Sequence, residues 1–113
     1  PRVLVTTAPL TAITPEGLKA AERTMRSRFS HLPRPWVVMC VGASIKGMEF
    51  TTENWREMIA RARRLAGDGS LLVTTSRRTA LATEELLENE LTGSCYLHRY
   101  TAGAYNPYMG FLA

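Results

Sequence analysis

From Leu71 to Thr79 the chain reads Leu-Leu-Val-Thr-Thr-Ser-Arg-Arg-Thr, a short apolar run that ends in hydroxyls and a pair of arginines before a helical pattern begins. These residue types in this order suit an anion. In open α/β sheets, ligands bind outside the carboxyl ends of the strands. A helix starting there offers unpaired N–H groups and the positive end of its dipole. Thr75, Ser76 and Arg77 are therefore candidate phosphate contacts, with Arg78 beside them. The competing reading is that Ser76 or Thr79 simply caps the helix and both arginines are solvated, since caps are common and phosphate sites rare. A second candidate loop, Gly42-Ala43-Ser44-Ile45-Lys46-Gly47, follows the apolar run Trp36–Val41. Gly42 would let backbone approach a ligand closely, and Ser44 and Lys46 have donors for phosphate oxygens. The loop has neither Walker A nor G-x-G-x-x-G spacing, and a plain strand-to-helix turn needing glycine for its geometry explains it equally well. If the two loops face one another, an anion site lies between the Gly42 loop and the Thr75 to Arg78 turn.

The remaining reactive side chains offer less. His31 and His98 are not at finger spacing with Cys40 and Cys95, so a four-ligand zinc site is not expected, and no cofactor motif is present. Cys40 and Cys95 each sit in an apolar, strand-like run and are expected as buried, reduced thiols. His98 is expected as a satisfied core or surface histidine, and Glu84, Glu85 and Glu88 as exposed helix surface and not a catalytic pair. No general base can be named, which leaves open whether the protein is an enzyme.

The elements that must position these groups follow from periodicity. Val3 to Thr7 reads as a first strand. Thr14-Pro15 starts a helix in which Leu18, Ala21, Met25, Phe29 and Leu32 share a face, and Pro33-Arg34-Pro35 ends it. Trp36 to Val41 is continuously apolar, as a parallel strand covered on both faces must be. Thr51 or Thr52 caps the next helix, with Trp55, Met58, Ile59, Ala62, Leu65 and Ala66 on the face toward the sheet. Gly67-Asp68-Gly69 turns back into the strand Leu71 to Thr75. A helix from about Thr79 to Leu91, a strand from Cys95 to Tyr100, and a final segment opened by Asn106-Pro107 complete the pattern. Alternating strands and helices with crossovers of this length give a parallel sheet. The expected fold class is α/β: a three-layer, Rossmann-like parallel sheet flanked by helices, with Val37–Val41, Leu71–Thr75 and Cys95–Tyr100 as adjacent strands.

A length of 113 residues allows one modest domain. No run approaches the roughly 20 apolar residues of a membrane span, and Pro1 to Leu10 lacks the form of a signal peptide. The net charge of +4 is spread along helices with acidic neighbours, including Lys19, Arg23 and Arg26 beside Glu16 and Glu22. That pattern describes a solvated surface and not a nucleic-acid interface. A cytoplasmic location fits the thiols. The chain starts at Pro1 beside an apolar run and stops inside another, Met109 to Ala113, so the domain is expected to be incomplete. Uncovered apolar surface around Tyr105 to Phe111 and an uncovered strand edge would then favour a homodimer.

Several blocks resemble the mitochondrial fission (elongated mitochondria) family and its bacterial relatives, which carry a nucleoside-diphosphate-sugar epimerase-like label. They are Leu32-Pro33-Arg34-Pro35, Gly42, the run from Gly69 to Thr79, and Asn106-Pro107-Tyr108-Met109-Gly110-Phe111-Leu112-Ala113. The family looks like two Rossmann-type domains facing a cleft, similar to B-type glycosyltransferases, in which the C-terminal domain binds the nucleotide sugar. The resemblance implies that residues 1–35 are an interdomain strand and helix and that 36–113 begin a nucleotide-binding domain. It also implies that Gly42, Ser44, Thr75, Ser76 and Arg77 contact a nucleotide-sugar diphosphate, with Asn106 near the cleft. Ala43 departs from the pattern, since relatives usually carry a second glycine there. The family equally implies a second function class, a non-enzymatic protein-interaction scaffold.

Overall fold

The computed structural model describes residues 11–113, so the strand expected at Val3 to Thr7 lies outside the described residues. Each of the three later apolar runs is extended: β1 (Trp36–Cys40), β2 (Ser70–Thr74) and β3 (Cys95–His98). They form one parallel sheet in the order β1-β2-β3, with Val37 opposite Leu71 and Leu71 opposite Cys95. The middle strand is β2, buried along all five residues. β1 is an edge among the described residues, and its pattern differs from that of a doubly covered strand. Trp36 to Val38 are half-buried and Cys40 is exposed, because no described strand lies beyond them.

Side chains alternate between the two faces of a sheet, and each face here has its own helical layer. Val37, Met39, Val41, Leu71, Val73 and Leu97 pack against α2 (Thr52–Ala66) and α3 (Leu81–Glu90), through Trp55, Ile59 and Leu87. Trp36, Val38, Leu72 and Tyr96 pack against α1 (Pro15–Arg28) and α4 (Tyr108–Leu112), where Met25, Phe29 and Phe111 meet them. Phe29 is the hub of the second layer, with its ring 4.6 Å from Tyr96 and edge-on to Trp36. Truncating so buried an aromatic costs about 3–5 kcal/mol. The result is the expected three-layer α/β arrangement.

Local signals explain the helix starts. Thr14 caps α1 by accepting from the Gly17 N–H, with Pro15 at the first helical position. Thr51 caps α2 in a reciprocal box with Asn54. α2 buries Trp55, Ile59 and Ala66, but Leu65 is 74% exposed and not on the sheet-facing stripe. At 100° per residue Leu65 sits about 90° from the centre of that stripe, too far round to reach the sheet. Two glycines mark close crossings. A Cβ on Gly69 would lie 2.0 Å from the Pro35 carbonyl oxygen, and one on Gly110 would lie 2.9 Å from the Met25 Cβ where α4 crosses α1. Arg63 closes the opposite end of the sheet from the candidate loops, donating to the carbonyls of Gly69, Thr92 and Ser94. Among the described residues no helix is long and apolar enough to cross a membrane.

Candidate functional site

At the carboxyl ends of β1 and β2 the chain leaves the sheet through two loops, and these loops are bonded to each other. The Thr79 hydroxyl donates to the carbonyl of Val41 at 3.0 Å and lies 3.3 Å from that of Gly42. The same oxygen accepts the Ser76 backbone N–H at 2.9 Å. Thr79 thus spans the gap between the loops. It is not a helix cap: α3 begins only at Leu81, its N-cap residue is Ala80, and no side chain caps it. The stretch from Ser76 to Thr79 is a turn, closed by the Thr79 N–H on the Ser76 carbonyl and by the Arg78 N–H on the Ser76 hydroxyl. Hydroxyls compete with helical bonding in this way wherever a turn offers them partners. The helix consequently starts later than its periodicity suggests.

The open cleft lies to one side of this latch, on the face that carries α1 and α4. Its volume is about 290 Å³, and Cys40, Gly42, Thr74, Thr75, Ser76 and Tyr108 line it together with Val41. Cys40, Thr74 and His98 are in register across the three strands and share the face of Val38, Leu72 and Tyr96. A Cβ built on Gly42 would meet nothing within 4 Å, so the glycine borders open space.

Of the six residues expected at the site, Gly42, Thr75 and Ser76 line the cleft, whereas Ser44, Arg77 and Asn106 do not. Ser44 is exposed on the loop beyond Gly42. Arg77 and Arg78 are exposed on the turn, without an ion pair among the described residues. Asn106 accepts the Tyr108 N–H through its side-chain oxygen at 3.0 Å. It therefore orients the start of α4, one residue further along than the proline expected to open it.

Thr75 has a different job from the one its position suggested. Its hydroxyl donates to the Glu84 carboxylate at 2.6 Å and accepts the Tyr100 N–H at 2.9 Å. Glu84 also pairs with Arg99 at 3.1 Å, and its side chain is only 13% exposed. It is thus not plain helix surface: a carboxylate this enclosed must be paired, and Thr75 and Arg99 pair it. Arg99 also reaches Glu88. The network fastens α3 to the ends of β2 and β3 beneath the cleft. Periodicity cannot reveal it, because its members are 9 to 25 positions apart in sequence.

Two further expectations are corrected. Cys40 is exposed and not buried, since it ends a strand that is an edge among the described residues; Cys95 is partly buried, and both are free. Register puts the two cysteines about 10 Å apart along the strands and about 10 Å across them, well outside the reach of a disulfide. Partial desolvation raises the Cys40 thiol above its ordinary value, so it is protonated at neutral pH. The His98 Nε2 is buried without a partner among the described residues, where a satisfied histidine was expected. That burial lowers its proton affinity, and the nearby Arg28 lowers it further.

The signal for Tyr108 was present in the Asn-Pro-Tyr block, but only the chain's return over the sheet puts its ring at the cleft. No curated protein and no solved structure matches the chain. The profile described as Mitochondrial fission ELM1 matches residues 1–113. The chain belongs to the mitochondrial fission ELM1 family.

Proposed function

We propose that this member of the mitochondrial fission ELM1 family binds the diphosphate of a nucleotide sugar at the carboxyl ends of β1 and β2, as the nucleotide-binding part of a glycosyltransferase-like protein. The cleft carries this reading: it opens where α/β sheets hold ligands, with Gly42, Thr75 and Ser76 on its walls and, on the adjoining turn, two arginines that pair with no carboxylate among the described residues. Gly42 leaves room for a close approach. The Arg77 guanidinium is the donor, joined by the Ser76 hydroxyl when it turns from the Thr79 oxygen 3.2 Å away, and Ser44 and Asn106 each stand two positions along the chain from a cleft residue, Gly42 and Tyr108. Such a protein works by positioning and by stabilising charge on a leaving diphosphate. In this reading residues 36–113 are the first half of the nucleotide-binding domain, residues 1–35 lead into it from a partner domain, and the protein is cytoplasmic.

Substituting Gly42 by valine tests the reading. Its first added atom meets nothing within 4 Å, so folding should be unaffected while bulk is added at the cleft wall. Uridine diphosphate should raise the melting temperature of the wild type and not that of Gly42→Val, with Arg77→Ala in between. Equal responses in all three would reject the site. A second reading, a non-enzymatic interaction scaffold as the family's designation implies, is favoured by the exposed apolar group Ile45, Met48 and Phe50 beside the Gly42 loop. It requires no response to the nucleotide at all.

A further inference from the structure

The cleft is larger and less polar than a phosphate needs. At about 290 Å³ it approaches the lower end of the range for small-molecule pockets, about 300–1,000 Å³. Its polar groups are also unevenly placed. Ser76 and Gly42 lie on the two loops past the strand ends, beside Arg77 and Arg78, which pair with no carboxylate among the described residues. The strand side of the cleft is lined by the uncharged Cys40 thiol and by Val41, with Tyr108, 43% exposed, across from them on α4. The Thr74 hydroxyl at the floor is turned back to the Thr75 carbonyl, and that of Thr75 is spent on Glu84. A half-exposed aromatic face beside an uncharged floor, with donors and cations at one end only, fits a ligand that is itself two-sided.

We propose that Tyr108 is a stacking platform for the planar ring of a nucleoside diphosphate, with the ring over the strand ends at Cys40 and Thr74 and the phosphates toward the loops at Ser76 and Arg77. This rests on the phosphate reading above and adds the orientation of the ligand and the residue that selects for a ring. The Asn106 side chain supports the role by fixing the backbone of Tyr108 through its hydrogen bond, so the ring starts from a set position. Stacking a base on an aromatic side chain tolerates any base, because every base has a π-face. The site is therefore expected to accept uridine and guanosine diphosphates alike.

The test is calorimetric titration of uridine diphosphate, guanosine diphosphate and inorganic pyrophosphate into the purified wild type, Tyr108→Phe and Tyr108→Ala. The wild type and Tyr108→Phe should bind both nucleotides about tenfold more tightly than pyrophosphate. Tyr108→Ala should lose that preference and bind pyrophosphate as the wild type does. Nucleotides binding no better than pyrophosphate to the wild type would overturn the platform and leave the phosphate site standing. No binding of any probe would overturn both. A Tyr108→Ala protein that weakens nucleotide and pyrophosphate equally would show a structural role and reject the platform. A second measurement avoids substitution altogether. The exposed Cys40 thiol lies under the proposed ring, so its alkylation rate in the wild type should fall severalfold with saturating nucleotide and stay unchanged with pyrophosphate. Equal protection by both, or by neither, would reject the placement of the ring.

Discussion

Replacing Thr75 by valine separates a structural from a ligand-binding role for its hydroxyl, because valine keeps the shape and removes one oxygen. The Thr75 hydroxyl has a single proton, and that proton goes to the Glu84 carboxylate at 2.6 Å. It also accepts the Tyr100 N–H at 2.9 Å. Deleting the oxygen removes one hydrogen bond to a charged group, worth about 1.5–3 kcal/mol, and one neutral bond worth about 1 kcal/mol. The methyl gained by valine returns about 0.8 kcal/mol, and Glu84 retains Arg99. A net loss of about 2–3 kcal/mol follows. Unfolding entropy is about 2.1 cal/mol/K per residue, so a chain of 113 residues should melt about 10 °C lower. Thr75→Ser keeps both hydrogen bonds and should lose less than half as much. Because the proton is already committed, nucleotide affinity measured well below the melting transition should change less than twofold. Calorimetric melting and a uridine diphosphate titration on the three proteins check both halves. A melting shift under about 2 °C, or a tenfold loss of affinity without destabilisation, would refute the reasoning and return the hydroxyl to the ligand.

Other outcomes follow from the same contacts. His98 takes up a proton less readily when folded, through burial first and the Arg28 charge second. Stability is therefore complete above the ordinary histidine value of 6.5 and declines as pH falls through it, because the unfolded chain protonates first. Urea midpoints at about pH 7.5 and pH 5.5 should show that decline, and His98→Gln should flatten it; identical slopes in the two proteins would discount His98. Arg63→Ala removes three hydrogen bonds to the carbonyls of two turns, and should cost about 1–2 kcal/mol by urea denaturation, whereas a neutral result would mean water replaces the guanidinium. Tyr105 and Leu112 are exposed on one segment and β1 is an edge among the described residues, so sedimentation over a wide concentration range should show a dimer, and a strict monomer would count against that surface as an interface.

The repeating pattern of this chain was enough to set its fold class. Three apolar runs, each followed by a helical period or a turn rich in glycine and asparagine, leave a parallel sheet with helices on both faces as the economical way to bury Leu71, Leu72 and Val73. Caps at Thr14 and Thr51 were equally legible, since a cap is a contact over three residues. The two candidate loops could also be located, because a ligand site at strand ends is a consequence of topology.

What lies in and around the cleft was decided by tertiary structure. No local rule says that the Thr79 hydroxyl prefers the Val41 carbonyl, 38 residues away, to the end of its own helix. Local preference is worth about 1 kcal/mol, and a distant carbonyl brought into reach by the sheet can outbid it. The same holds for Thr75, whose hydroxyl finds Glu84 only once α3 has docked. Exposure of Cys40 depends on β1 being an edge among the described residues, and composition cannot order the strands of a sheet. Tyr108 enters the cleft because Gly110 lets α4 cross α1 closely enough to bring its first residue over the strand ends. Periodicity reports which side of an element is apolar. Which neighbour that side meets, and which polar groups meet with it, depends on contacts between residues far apart in the chain.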